Sequence, residues 1–169
     1  MAPRPRRICF IGPECTAKTT LALRLARELG ATYVPEFARE YAEGCGNVLS
    51  AADVEPIARG QMAAEDAAAD AERIVLDTDL ISTLVYARHY YGECPQWIAD
   101  EAMKRRADLY LLMDTDIPWQ PDAARDTGGD TREDLFDDFR RTLEEFGAPF
   151  VVISGSGEPR WRAILDAIG

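Results

Sequence analysis

Ile8-Cys9-Phe10-Ile11-Gly12-Pro13-Glu14-Cys15-Thr16-Ala17-Lys18-Thr19-Thr20 is the stretch that decides how the chain is read. A short apolar run ends at a glycine, as a buried parallel strand does, and a polar loop follows it. From Gly12 to Thr19 the loop follows G-x-x-x-x-G-K-[ST] at every defined position but one, where Ala17 replaces glycine. The chemistry explains the residue types. Backbone N–H groups of such a loop, backed by the positive end of the next helix, surround phosphates. Lys18 is placed to bridge terminal phosphates, and the Thr19 hydroxyl to ligate Mg²⁺. ATP (or a close relative) and Mg²⁺ are the expected cofactors, with residues 12–20 as the binding segment. The position of Ala17 calls for a small residue because backbone passes close to phosphate. If it also requires a positive φ, alanine costs on the order of 1 kcal/mol there.

Outward from the loop, strands and helices alternate. Lys18 to Leu29 has leucines at helical spacing (Leu21, Leu25, Leu29) and stops at Gly30. Thr32-Tyr33-Val34 reads as a strand closed by Pro35, with Glu36 to Glu43 helical after it. Ser50 is a candidate cap for an alanine-rich helix reaching about Ala71. Arg73 to Leu76 is the third strand, ending at Asp77-Thr78-Asp79, and two helical stretches follow with Gly92 to Pro95 between them. Leu109 to Met113 and Phe150 to Ile153 complete the strands; Thr131 to Phe146 and Glu158 to Ile168 are the remaining helices. Ile117 to Asp130 is rich in prolines, glycines and charges and reads as an exposed loop. Such alternation implies parallel pairing through right-handed crossovers. The expected architecture is α/β, a P-loop NTPase fold with a five-stranded parallel sheet, helices on both faces and a short lid at about 117–132. Ligands in such sheets bind at the carboxyl ends of the strands, where Gly12, Pro35-Glu36 and Asp77 with Asp79 all fall.

Composition sets the outer bounds. A chain of 169 residues, 47% hydrophobic and 29% charged, suits one globular domain over residues 1–169. The net charge of −11 disfavours a nucleic-acid partner, because the chain repels a polyanionic backbone. The cysteines, Cys9, Cys15, Cys45 and Cys94, show no CxxC spacing, and His89 is the single histidine, so a structural zinc site is not expected. Met1 to Arg7 is basic, but the apolar run after it is too short for a signal peptide or membrane span. The expected setting is the cytoplasm, with reduced thiols and no membrane partner.

Several polar residues are candidates for chemistry, each with a structural rival. Glu36 could take a proton from an acceptor hydroxyl, or could be a first-turn glutamate favoured by the helix dipole. Asp77, after three apolar residues, stands where a carboxylate reaches Mg²⁺; Asp79 could act with it or cap the next helix. Arg39 shares a helix face with Glu36 and could hold acceptor or phosphate, or pair with Glu36 or Glu43. Arg125 and Arg132, in or beside the polar loop, could bring a guanidinium onto a transferring phosphoryl group; for Arg132 plain surface charge is the better reading. His89, amid Tyr86, Tyr90 and Tyr91, reads as a packed or surface helix residue. Trp119 could pack the lid or stack on a base.

Taken in order, Gly12-Pro13-Glu14-x-Thr16-x-Lys18-Thr19-Thr20, Pro35-Glu36-Phe37-Ala38-Arg39-Glu40, Gly60-Gln61, Asp77-Thr78-Asp79, Asp116-Ile117-Pro118-Trp119 and Val152-Ile153-Ser154-Gly155 resemble a known family. They look like the ribosylnicotinamide kinase domain of the NadR type and the AAA-type ATPase domains grouped with it, from about Arg7 to the C-terminus. The resemblance implies ATP-dependent phosphorylation of a ribonucleoside 5′-hydroxyl, with a small-molecule nucleoside as partner. By position it implies Glu36 as base and Arg39 as an acceptor contact. It also implies that Asp77 and Asp79 act on Mg²⁺ or ribose hydroxyls, Gln61 faces the base and Arg125 is the lid arginine. Two positions depart from the family pattern: Ala17 stands where glycine is usual, and Pro35 where some members carry an aromatic residue.

Overall fold

The computed structural model describes residues 3–118 and 130–169. Five strands, β1 (Arg7–Ile11), β2 (Thr32–Val34), β3 (Ile74–Asp77), β4 (Leu109–Met113) and β5 (Phe150–Ile153), form one parallel sheet in the order β2-β3-β1-β4-β5. The helices are α1 (Lys18–Leu29), α2 (Phe37–Gly44), α3 (Val54–Ala67), α4 (Leu80–Tyr91), α5 (Gln96–Lys104), α6 (Asp130–Glu145) and α7 (Glu158–Ile168). Among the described residues no helix is long and apolar enough to cross a membrane.

The apolar runs read as strands are apolar on both sides because both faces of the sheet are covered. Side chains alternate along each strand. Cys9, Ile11, Leu76, Tyr110 and Leu112 face one core with residues of α3 to α6, among them Ala58, Leu84, Ile98 and Phe139. Ile8, Phe10, Val75, Leu111 and Met113 face the other, against Leu21 and Leu25 of α1 and Trp161 and Ile164 of α7. β1 therefore lies at the centre, paired with β3 on one side and β4 on the other. The chain leaves β1 toward β2 and β3 and later crosses to β4. The carboxyl end of β1 is thus the switch point at which such sheets bind ligands.

Several boundaries differ from the sequence expectation, most by a single residue. The alanine-rich helix stops at Ala67, not Ala71, and one reason lies outside it: the Arg6 guanidinium donates to the carbonyls of Ala69 and Ala71. Ser50 caps a single 3₁₀ turn, Ala51–Asp53, that leads into α3. Its N–H donates to Asp53 Oδ2 at 2.7 Å and its hydroxyl to the same oxygen at 3.2 Å. Glu36 stands just before α2 as its N-cap residue, in extended conformation at φ −72° and ψ 105°, not within the helix.

Candidate active site

At the end of β1 the chain turns at Gly12 with φ 137°. A Cβ there would lie 2.9 Å from the Met113 carbonyl oxygen on β4, so only glycine lets the loop leave the sheet at this point. Cys15 (φ 56°) and Ala17 (φ 66°) both adopt the left-handed conformation, and Ala17 stands at the N-cap of α1 without a side-chain cap. The missing glycine is therefore a strained alanine. Thr16 Oγ1 donates to the Pro13 carbonyl at 2.8 Å, and Lys18 Nζ donates to the same oxygen at 2.6 Å. The lysine lies folded along the loop that it would share with phosphate. Thr20 is on the exposed side of α1.

Thr19 Oγ1 donates to Asp77 Oδ2 at 2.6 Å, and the Tyr33 hydroxyl donates to that oxygen at 3.1 Å. Burial and the Asp77 charge push the Tyr33 hydroxyl well above its usual pKa, so it remains a donor. Asp77 is 1% exposed, and its second oxygen, Oδ1, is buried with no hydrogen-bond partner among the described residues. A hydroxyl and a carboxylate side by side, with a buried oxygen unused, is a donor set that suits Mg²⁺.

Asp79 goes elsewhere. Thr78 between the two aspartates has φ 68°, which breaks the alternation that would send both carboxylates the same way. Asp79 caps α4 by accepting from Ile81 N–H at 2.9 Å and also accepts from the Tyr110 hydroxyl. Burial raises its pKa to about 6, against the pull of those hydrogen bonds. Of the two roles read for Asp79, the structure shows capping, and the hydrogen bonds of its carboxylate go to Ile81 and Tyr110.

Beside the loop is a cavity of about 290 Å³ between α2, the 47–50 segment, α3 and α4. Glu36, Gln61, Thr78, Ser82, Tyr86 and Tyr90 are among its lining residues. Tyr86 joins cavity to loop, because its hydroxyl donates to Glu14 Oε1 at 2.8 Å. Burial and the neighbouring Glu14 carboxylate raise the pKa of Tyr86 well above the ordinary value; the Arg39 charge opposes the rise. Tyr86 and Tyr90 stack with ring centroids 6.0 Å apart. Gln61 accepts from the Phe37 N–H at 3.2 Å, pinning the start of α2 and with it Glu36. Gly60 is needed beside it, since a Cβ would fall 2.0 Å from the Phe37 ring.

Glu36 and Gln61 thus reach one cavity, while Lys18, Thr19 and Asp77 gather at the loop next to it. Arg39 lies on α2, partly exposed. Trp119 and Arg125 lie outside the described residues. Arg132, read as surface charge, is 4% exposed and donates through Nη2 to the carbonyls of Thr115 (3.1 Å) and Ile117 (2.7 Å). Those carbonyls lie beyond the end of β4, and the arginine is drawn inward as their donor. His89 sits on α4 with Nδ1 3.5 Å from Asp138 Oδ2. The sequence reading missed Tyr86 and Arg160 as parts of this region. Tyr86 falls at helical spacing from Ser82 and Tyr90, the one signal that could have found it.

A phosphate loop at the central strand, a Thr–Asp pair beside it and an adjoining cavity define a P-loop NTPase with a kinase-like fold. The chain belongs to the AAA domain family, whose match covers residues 7–160. It is 28% identical over 153 residues to the trifunctional NAD biosynthesis/regulator protein NadR of Escherichia coli (strain K12). That alignment takes in 86% of this chain and 37% of the relative, so the chain spans well under half of that protein. A crystal structure of NadR protein in complex with NR superimposes with a TM-score of 0.79 at 25% identity, covering 96% of this chain and 49% of that one. A second, in complex with NAD and AMP-PNP, gives 0.80 at 26%, covering 96% and 48%. Thymidylate kinase from Ehrlichia chaffeensis shares the fold, with a TM-score of 0.68 at 14% identity and 97% of each chain covered.

Proposed function

We propose that the protein is an ATP-dependent small-molecule kinase that phosphorylates the 5′-hydroxyl of a ribonucleoside, nicotinamide riboside first among them. The observation that carries this reading is the cavity: among its lining residues Glu36 is the one charged side chain, and Tyr86 ties its wall to the phosphate loop. A mononucleotide acceptor needs a cluster of cations around its phosphate; the lining holds none, and Arg39, whose charge reaches Tyr86, is a single cation outside it. A neutral or cationic nucleoside suits an apolar pocket with a single carboxylate. Likeness to NadR structures holding NR or AMP-PNP supports the same choice.

In the proposed reaction the acceptor hydroxyl oxygen attacks the γ-phosphorus as the bond to the β–γ bridging oxygen breaks. ADP leaves, and the hydroxyl proton passes to the Glu36 carboxylate. Lys18 exchanges the Pro13 carbonyl for phosphate oxygens, and the loop N–H groups hold the negative charge in place. Thr19 and Asp77 would hold Mg²⁺, which neutralises charge on the phosphates when bound. Gln61 keeps the start of α2 fixed, so that Glu36 stays aimed at the acceptor. Arg125 and Trp119 are proposed to cover the site from the 117–132 segment, and Arg39 to contact acceptor or phosphate.

The test is acceptor-dependent ADP release from Mg-ATP with a nucleoside panel that includes nicotinamide riboside, with product identified by mass. No release above a Lys18→Ala control overturns the kinase reading and leaves a nucleotide-dependent regulatory ATPase. Release with another nucleoside alone overturns nicotinamide riboside. Glu36→Gln is expected to lower kcat by roughly 10²- to 10⁴-fold with ATP affinity kept.

A further inference from the structure

Arg160, in the first turn of α7, is 1% exposed and among the largest fully buried side chains of the protein. It lines none of the cavity described above, and no step of the proposed reaction uses it. Its Nη1 donates to Asp116 Oδ1 at 2.7 Å and to the Gly155 carbonyl at 2.8 Å. Its Nη2 donates to the Asp114 carbonyl at 2.7 Å and to the Thr16 carbonyl at 3.2 Å. One planar fork thus gathers the end of β4, the turn after β5 and the middle of the phosphate loop. The acceptors are themselves held: Asp116 also accepts from the Gly155 N–H, and Asp114 Oδ2 from the Ser154 hydroxyl at 2.8 Å.

A buried guanidinium with one carboxylate and three carbonyls is a costly way to fill space, and a packed apolar side chain would suit that purpose better. Its geometry answers a different need. The peptide between Thr16 and Ala17 is planar and trans, so its C=O and N–H point in opposite directions. Holding the Thr16 carbonyl toward α7 turns the Ala17 N–H away from α7. It also holds that peptide where Ala17 must keep φ 66°, a conformation alanine does not choose unaided.

We propose that Arg160 is a positioning residue of the phosphate loop: it anchors the Thr16 carbonyl and so aims the Ala17 N–H at the bound phosphates. This rests on residues 12–19 holding a triphosphate and not on which acceptor is phosphorylated. The variants are Arg160→Lys, which keeps the charge but loses the fork, and Asp116→Asn, which weakens the partner at the more exposed end. For each, calorimetry gives Kd for Mg-ATP and for inorganic tripolyphosphate, and steady-state kinetics give the acceptor KM.

Arg160→Lys is expected to weaken ATP and tripolyphosphate equally, by about tenfold, the scale of one lost oriented donor, with acceptor KM unchanged. Asp116→Asn should shift both in the same direction by less. Tripolyphosphate has no base or sugar, so equal losses locate the effect in the loop; a general loss of packing would raise the acceptor KM as well. Folded Arg160→Lys with both affinities within twofold of wild type overturns the proposal, as does a loss for ATP alone. If Arg160→Lys does not fold, unchanged tripolyphosphate affinity in Asp116→Asn overturns it. Wild-type protein that binds neither ligand overturns the phosphate-loop reading itself, which separates the two failures.

Discussion

Ala17 shows how much one side chain can alter a familiar pattern. Its φ of 66° and ψ of 23° are left-handed, and a Cβ in that region costs roughly 1–2 kcal/mol. Glycine would remove this strain but would loosen the unfolded chain by about 0.4–1 kcal/mol. The strain wins, so Ala17→Gly is expected to raise Tm by about 1–4 °C, read by thermal unfolding without ligand. A lower Tm would mean that neighbouring groups have adapted to the methyl. The same reasoning applies at Thr78, a β-branched residue at φ 68°. It could not be foreseen, because nothing in Asp77-Thr78-Asp79 announces a reversed backbone. Asp77 was legible from the apolar run before it. For Asp79 both joining Asp77 and capping α4 were legible; the choice between them was not, since it depends on which hydroxyl, Thr19 or Tyr110, each carboxylate meets.

At the scale of elements, α2 is set by α3. Gly60 leaves room for the Phe37 ring, and Gln61 holds the Phe37 N–H. Gly60→Ala drives a methyl into that ring, an overpacking worth about 1–3 kcal/mol. Tm should fall by roughly 2–10 °C, and acceptor KM should rise because Glu36 moves with α2. Adding Phe37→Leu should recover most of the stability; no recovery would place the cost elsewhere. One turn further along α3, Glu65 is buried between Arg7 (3.8 Å) and Arg105 (3.5 Å), with the Asp79 charge also acting on it. Burial raises its pKa to about 7. The folded protein therefore holds a proton that the unfolded chain has released above about pH 4.3. The stability linked to this group is full below that pH and is lost as pH rises through about 7. The total is up to roughly 3.5 kcal/mol. Glu65→Gln should flatten the decline between pH 5 and 8 in urea midpoints; parallel slopes for wild type and variant would exclude Glu65 as its source.

For the whole molecule, the loop, the Thr19–Asp77 pair and the cavity wall come from separate parts of the chain, joined at the carboxyl end of β1. Ligand that binds only the folded form should therefore stabilise all of it. At 100 times Kd, Mg-ATP adds about 2.7 kcal/mol, an expected rise in Tm of about 5–10 °C. Lys18→Ala should abolish most of that shift, and an equal shift in the variant would argue against a phosphate role for the lysine.

Strand number, helix periods and the loop's chemistry were legible in the sequence, because each is a local pattern: an apolar run, a fourfold spacing, a strand-ending glycine followed within one short loop by a lysine and a threonine. Glu36 and Asp77 were legible as residues at strand ends. Their surroundings were not. Strand order, the Tyr86–Glu14 link between cavity and loop, and the inward turn of Arg132 and Arg160 all join residues far apart in the chain. A charged side chain reads as surface until a fold supplies buried acceptors for it. By itself the sequence determined that a phosphate loop sits at the mouth of a parallel sheet. Only the tertiary structure decided which polar groups face it, because burial and hydrogen bonding are properties of neighbours brought together by packing.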